Sequence, residues 1–478
     1  MIATSNRNRQ VAYSVGILAL FGVMFFYTEW LHNLKDRRQL GEATIGQVDA
    51  GSFMLKLALL GGARGVAANV LWNRALDLQK VHDWDRLKLT VDQITKLQPH
   101  FLRVWSWQGW NLAYNVSVEW DAPEDKYEWI KQGINFLKEG VRKNEASPDL
   151  MWDTAWTYYQ KIGVADEAII LRRLFHDDDD EEFRSYVDPE TGQRHTPQDN
   201  FLLGYGWFIK AVDLVDRGAQ RAAARFEAPV EYVDRVENRK GHPGDLHFRS
   251  MPAGSLTKYA ASLEKASTLN LPPTFSERAR REWERAKDAW QTFGDHPFPA
   301  HNDSTLMIYL DDAIKPSLAP GRLGWRLAGN DAGRADNQQY WTDRWAQNTH
   351  YHYWKDRCLA EMDPRGVKAR RLFYEGTHAA KGADFLESVK KFQEGLATWK
   401  ELLDEHPTYR DDGLNQQDTG RVMLGYEHAL SNAGMKPPED MPFADLLKAA
   451  QVDSNPDPFS QDDVQVATPG QDSFSAKE

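Results

Sequence analysis

The side chains best suited to chemistry lie late in the chain. His350 and His352 stand two apart, and Cys358 comes eight positions after His350. Histidines at i and i+2 point to different sides of a helix, whereas His350 and Cys358 could share a face. That pair is the candidate for metal or haem ligation; the plainer expectation is ordinary helix residues, with no metal and no cofactor. His296 and His301 flank a proline-containing loop and are expected at the surface. The run from His176 to Glu182 (HDDDDEE) offers carboxylates to a cation. It lacks the spaced oxygens and the glycine of a calcium loop, so a solvated loop is expected. A glycosidase would need two carboxylates about 5–10 Å apart across a cleft, which sequence alone does not establish. The chain has no GxSxG, HExxH or GxxxxGK[ST]. Gly204-Tyr205-Gly206 lies inside a helical pattern with no strand before it, so it is not a phosphate loop.

Aromatic residues form the other constellation. Of 18 tryptophans, ten fall between Trp72 and Trp207, a density that suits helix-on-helix packing. Trp105, Trp152, Trp156 and Tyr159 are expected to be mainly core, and they are the candidates to line a ligand groove. The formal charge is -12, which argues against a nucleic-acid surface, where basic residues must neutralise phosphates. A single cysteine rules out an internal disulfide framework and any CxxC motif.

These groups need elements to hold them. Residues 1–10 are a short polar tail. Val11 to Tyr27 (VAYSVGILALFGVMFFY) carries no charge; with Thr28, Trp30 and Leu31 it is long enough for a membrane anchor over 11–31. No small residues mark a cleavage point, which argues against a removed signal peptide. Basic residues on the two sides nearly balance. A short leading tail usually stays in the cytoplasm, so the body is expected outside it. Residues 32–69 are a linker and a membrane-proximal apolar helix, or else a re-entrant hairpin.

Helical hairpins are expected over 70–216. Trp72 to Trp105 spans 33 positions and Trp105 to Trp152 spans 47, one repeat plus an insertion. Leu87, Val91, Ile94 and Leu97 keep the spacing of a buried stripe. The first hairpin pairs 70–80 with 84–97. The second pairs 102–115 with 127–143, around an insertion at 116–126. The third pairs 148–162 with 166–175. A further helix is expected at 201–216. Residues 217–336 are read as a middle region: an arginine-rich stretch to 248, helices over 256–268 and 274–293, another over 305–315, then a linker. Residues 337–450 form a C-terminal helical region with one helix over 338–361 and a hairpin from 372 to 407. Residues 451–478 are polar and acidic and should be disordered.

Trp105, Gly109 and Leu112, then Gly133, Leu137 and Gly140, place an aromatic, a small and a bulky residue on one helix and small, bulky, small on the next. Gly376, Phe392 and Gly395 do the same near the C-terminus. In this the chain resembles the tetratricopeptide-repeat family, more loosely its membrane-anchored bacterial members. The resemblance covers about 130 residues. Trp156 departs from it, standing where a small residue is usual. It implies an all-α fold, an α-solenoid of hairpins, and a concave surface that binds an extended peptide or protein. A scaffold or adaptor at the membrane, with no catalysis, is therefore expected. The rival is a cell-envelope enzyme whose insertions, 116–126 and 217–248, build a pocket on the helical frame.

Overall fold

The computed structural model describes residues 63–187, 192–219, 243–264, 273–300, 306–311 and 332–447. The expected anchor at 11–31, most of the linker, the arginine-rich stretch through 242 and the tail at 451–478 lie outside them. Among the described residues no helix is long and apolar enough to cross a membrane. The fold is all-α, with two two-stranded ladders. Contacts divide the chain into two compact units, residues 1–104 and 105–478.

In the first unit, α1 (Ala63–Lys80) packs on α2 (Trp84–Leu97). The turn between them holds His82 at φ 56, and Asp83 caps α2 by accepting from the Arg86 N–H at 3.2 Å. Leu87, Val91 and Ile94 are buried as their spacing predicts, and so are the small Ala68 and Ala75 of α1.

The unit boundary falls in the first turn of α3 (Leu102–Trp110), which runs on as a π turn over Asn111–Val116 and a 3-10 turn over Ser117–Glu119. Beyond the boundary it pairs with α4 (Pro123–Lys143). The two backbones meet on glycines. A Cβ on Gly133 would stand 2.7 Å from the Gly109 carbonyl, and one on Gly140 would stand 2.9 Å from the Trp105 ring; one on Gly109 would strike Leu137. Helix-interior glycine otherwise costs about 1 kcal/mol relative to alanine, so close approach explains it here. Gly133→Ala should therefore lower stability by roughly 1–3 kcal/mol. Gly254→Ala, in a helix with nothing within 4 Å of the new methyl, should raise it by up to about 1 kcal/mol. Thermal unfolding of the two variants side by side checks the contrast.

The third hairpin differs from expectation. Its first helix, α5 (Pro148–Trp156), is capped by Ser147 and continues as a π turn over Thr157–Ile162. Its principal partner is α7 (Asn200–Asp216) rather than α6 (Ala168–Asp177). Gly204 lets α7 approach, with its Cβ direction 3.4 Å from the Ala155 carbonyl. The chain from α6 through the ladder β1 (Tyr186–Val187) with β2 (Arg194–His195) is an insertion between them. The acidic run within it is pinned at Asp178 rather than solvated throughout. Asp178 accepts from the Tyr127 hydroxyl at 2.8 Å and from the Lys131 ammonium at 2.8 Å, both on α4. These partners hold its carboxyl below the usual range although burial opposes them. Asp177, Asp179, Glu181 and Glu182 stay exposed, while Asp178 and Asp180 turn inward.

The remaining helices share one core. They are α8 (Pro243–Leu263), α9 (Glu277–Gly294), α10 (Ala332–Thr349), α11 (Tyr351–Met362), α12 (Pro364–Lys381), α13 (Phe385–Glu405), the short α14 (Pro407–Arg410) and α15 (Gly413–Asn432). The hairpin α12–α13 repeats the glycine contact: a Cβ on Gly395 would stand 2.8 Å from the Phe373 ring. Three expectations fail. The helix placed at 305–315 is instead extended over its described residues: β4 (Met307–Ile308) pairs with β3 (Phe298–Pro299), and Leu306, Ile308 and Leu310 are buried in alternation. The helix over 338–361 breaks at His350, which adopts φ 50. And α8 starts 13 residues earlier than expected and carries Pro252 in its interior.

Candidate functional site

The first helices of the second and third hairpins are built alike. Each ends in a π turn, Asn111–Val116 and Thr157–Ile162, starting 46 positions apart. A π turn inserts one residue, about 100° of helical rotation, and so re-aims the side chains beyond it. Trp110 and Tyr114 stack across the first junction, 5.7 Å apart and 16° from parallel. Trp152 and Trp156 stack on the other helix, 5.3 Å apart and 9° from parallel. The two pairs adjoin where Tyr114 meets Trp156; the enclosed Tyr114 hydroxyl has no hydrogen-bond partner among the described residues. His247, on α8, extends the strip with its ring edge-on to both Trp152 and Trp156, 5.7 and 5.8 Å away. Trp110 is 48% exposed; Tyr114, Trp152, Trp156 and His247 are half-buried.

Polar groups line the strip. The Ser106 hydroxyl donates to the Asp153 carboxylate and ties the two helices together. Burial, then the Asp153 charge, push the Tyr114 hydroxyl well above the usual phenol range. The Lys161 ammonium lies 5.4 Å over the Tyr114 ring, and burial lowers its pKa. The Trp152 indole N–H and the Gln160 amide oxygen are enclosed and meet no protein partner. The partly open ladder of rings beside them offers stacking surface to an extended chain.

Of the four aromatic groove candidates, Trp152 and Trp156 belong to this strip. Trp105 is 3% exposed, over Gly140 and 4.7 Å from Phe136, so it is packing. Tyr159 is also 3% exposed and meets Phe201 at 5.7 Å. Trp110, Tyr114, Lys161, Gln160 and His247 were not singled out from sequence. The i, i+4 step from Trp110 to Tyr114, matched by Trp152, Trp156 and Gln160, is the signal that marks most of them.

The metal candidates do not come together. His350 is exposed between α10 and α11, while Cys358 is fully buried, 4.0 Å from the Thr257 hydroxyl. Eight residues of helical rise separate them by about 12 Å, too far to bind one ion. Burial pushes the Cys358 thiol up to about 12, so it is not a thiolate at neutral pH. Among the described residues no group of three or more potential ligands forms a metal site. His296 is partly enclosed, with its ring edge-on to Phe298 4.9 Å away, and burial, then the Arg249 charge, lowers its pKa to about 4. His301 lies outside the described residues.

One buried cluster has the character of an acid–base pair. Glu361 accepts from Arg370 at 2.7 Å and from the Tyr409 hydroxyl at 2.8 Å, with Arg357 4.0 Å away. Arg370 lies 4.5 Å over the Trp399 ring. Burial works against its ionisation, yet Arg370 and Arg357 hold Glu361 below the usual range. Burial, then the Glu361 charge, push the nearby Glu264 carboxyl up to about 8. Carboxylates driven apart in this way can serve as acid and base, but Glu361 is 1% exposed and its contacts are with protein. The cluster is a structural network joining α8, α11, α12 and α14. It has a pH signature. Because Glu264 in the fold keeps its proton up to about pH 8 and the ordinary value is 4.5, the folded state binds the extra proton in that window. The contribution of Glu264 to stability is full below pH 4.5 and is lost as pH rises to about 8. Glu264→Gln should therefore match the parent at about pH 5 and exceed it at about pH 9, by roughly 1–3 kcal/mol; urea unfolding at the two pH values reads this directly.

The chain matches no known protein-family model and no curated protein.

Proposed function

We propose that this protein is a tetratricopeptide-like scaffold whose ring-lined strip holds an extended segment of a partner, with no bond made or broken. The observation that carries the reading is the strip itself: four stacked rings, partly open to solvent, on two consecutive first helices that carry matching π turns. Stacking hairpins in series gives such first helices a common concave side in an α-solenoid. The apolar segment 11–31 anchors the body to the bilayer, with the body outside the cytoplasm, so the partner is a membrane-adjacent protein or peptide.

The test is co-purification of the full-length protein from detergent-solubilised membranes. A stable partner that elutes with it, and is displaced by an excess of its own binding peptide, is the expected result. Recovery of the chain alone over a range of mild detergents would refute the reading.

A further inference from the structure

Among the described residues, the buried Arg172 and the half-buried Arg370 each meet a carboxylate closely. Arg172, 4% exposed, meets Asp199 at 2.7 Å, and Arg370 meets Glu361 at 2.7 Å. Arg184 does not. It is 8% exposed, its Nε and Nη1 are enclosed, and neither has an acceptor. Guanidinium remains protonated under all ordinary conditions. An enclosed, unpaired charge of this kind is strongly destabilising, unless something outside the chain neutralises it.

Of the described acidic groups close in sequence, Asp178, Asp180 and Glu182 are already paired. Lys131 takes Asp178 at 2.8 Å and Asp180 at 3.2 Å. Glu182 turns to Arg194 at 2.8 Å and to Arg142 at 3.8 Å. A second buried cation meets the backbone just before Arg184. Lys138, 5% exposed, donates to the carbonyls of Glu182 and Phe183, the latter at 3.1 Å, and to no carboxylate. Burial lowers the pKa of that ammonium to about 8, despite the opposing charge of Glu182. Two enclosed cations, Arg184 and Lys138, therefore meet this loop, and among the described residues neither hydrogen-bonds to a carboxylate.

We propose that Arg184, with Lys138 on the preceding peptide groups, receives an oxyanion of an external ligand, a carboxylate or a phosphate. The planar guanidinium fork matches two oxygens of either group, and the lysine adds a point charge. The site stands apart from the aromatic strip in its residues, and its existence does not depend on the scaffold reading.

The test is thermal unfolding of the full-length protein in detergent, titrated with sodium phosphate in one arm and sodium acetate in the other. Ionic strength is held constant with sodium chloride. At least one oxyanion should raise the melting temperature saturably, by roughly 3–5 °C at about ten times half-saturation. Response to phosphate alone identifies a phosphoryl ligand, and response to acetate identifies a carboxylate. Arg184→Met should abolish the response while melting no lower than the parent in chloride. Arg184→Lys, which keeps the charge and loses the fork, should raise the half-saturating concentration at least about threefold; it also serves should the methionine variant not fold. Neither oxyanion exceeding chloride, or unchanged half-saturation in both variants, overturns the proposal.

Discussion

Arg370→Met should lower the stability of the second unit by about 3–5 kcal/mol, because it leaves a buried carboxylate without its closest partner. The substitution keeps much of the side chain's length and apolar stem, so packing over Trp399 is largely retained. What is lost is the partner of a carboxylate that is 1% exposed. Glu361 would keep the Tyr409 hydroxyl and the more distant Arg357. Those do not replace a charge at 2.7 Å, so Glu361 must either take up a proton or drag water into the core. The loss should also depend on pH. Glu361 is held below the ordinary range in the parent, and this contribution is present above the unfolded pKa and lost as pH falls through the folded one. Without Arg370 it is gone, so the penalty should be largest at neutral pH and shrink in acid. Adding Glu361→Gln should recover part of the loss, because no unpaired charge then remains at that position. Guanidinium unfolding of the single and double variants, at neutral pH and again near pH ~4, reads all three statements. Equal losses at both pH values would mean that the network acts by packing alone.

The second large effect concerns recognition. Trp152→Ala with Trp156→Ala removes one of the two stacked pairs of the strip. Indoles at the centre of an interface commonly account for about 2–4 kcal/mol each. Partner affinity should therefore fall by more than about a hundredfold for the pair. The change should leave the fold largely in place, because both indoles are only half-buried, although Trp152 does meet Phe208 at 5.7 Å and Phe248 at 6.4 Å. Trp105→Ala is the informative contrast. That ring is 3% exposed over Gly140, so its removal should cost about 3–5 kcal/mol of stability and affect binding only through unfolding. Isothermal titration with the partner segment, alongside thermal unfolding of each variant, separates the two roles.

Much of this architecture is written in local pattern. The stripe Leu87, Val91, Ile94 marks α2 to the residue, because an amphipathic helix with a capping aspartate before it needs no distant information. Gly109, Gly133 and Gly140 are legible as a hairpin contact for a similar reason: glycine inside a helix is unfavourable unless another backbone must come close. The misses share a different cause. Leu306, Ile308 and Leu310 do alternate, but a pairing two residues long leaves too little pattern to outweigh helix-forming neighbours. His350 takes a left-handed conformation between Thr349 and Tyr351, in a stretch with neither glycine nor proline to announce a break. The third hairpin closes on α7 because Gly204 fits against Ala155, a long-range choice that the intervening acidic run and β1–β2 ladder conceal. Likewise Glu264, Arg357, Glu361, Arg370 and Tyr409 are spread over 146 positions, and nothing local brings them together. Half of the aromatic strip was visible in Trp152 and Trp156. Trp110 and Tyr114 carry the same i, i+4 step, but nothing local says which helix face stays open to solvent.

Site-specific photo-crosslinking tests the central claim most directly. A photoreactive residue replaces Trp110, which is 48% exposed at the end of the strip, or in a parallel sample Leu386, which is 68% exposed on α13. After irradiation in intact membranes, position 110 should give one discrete heavier adduct and position 386 none, and the adduct should disappear when Trp152 and Trp156 are both alanine. Adducts of equal yield at both positions, or none at position 110 with the full strip present, would contradict a recognition surface on these helices.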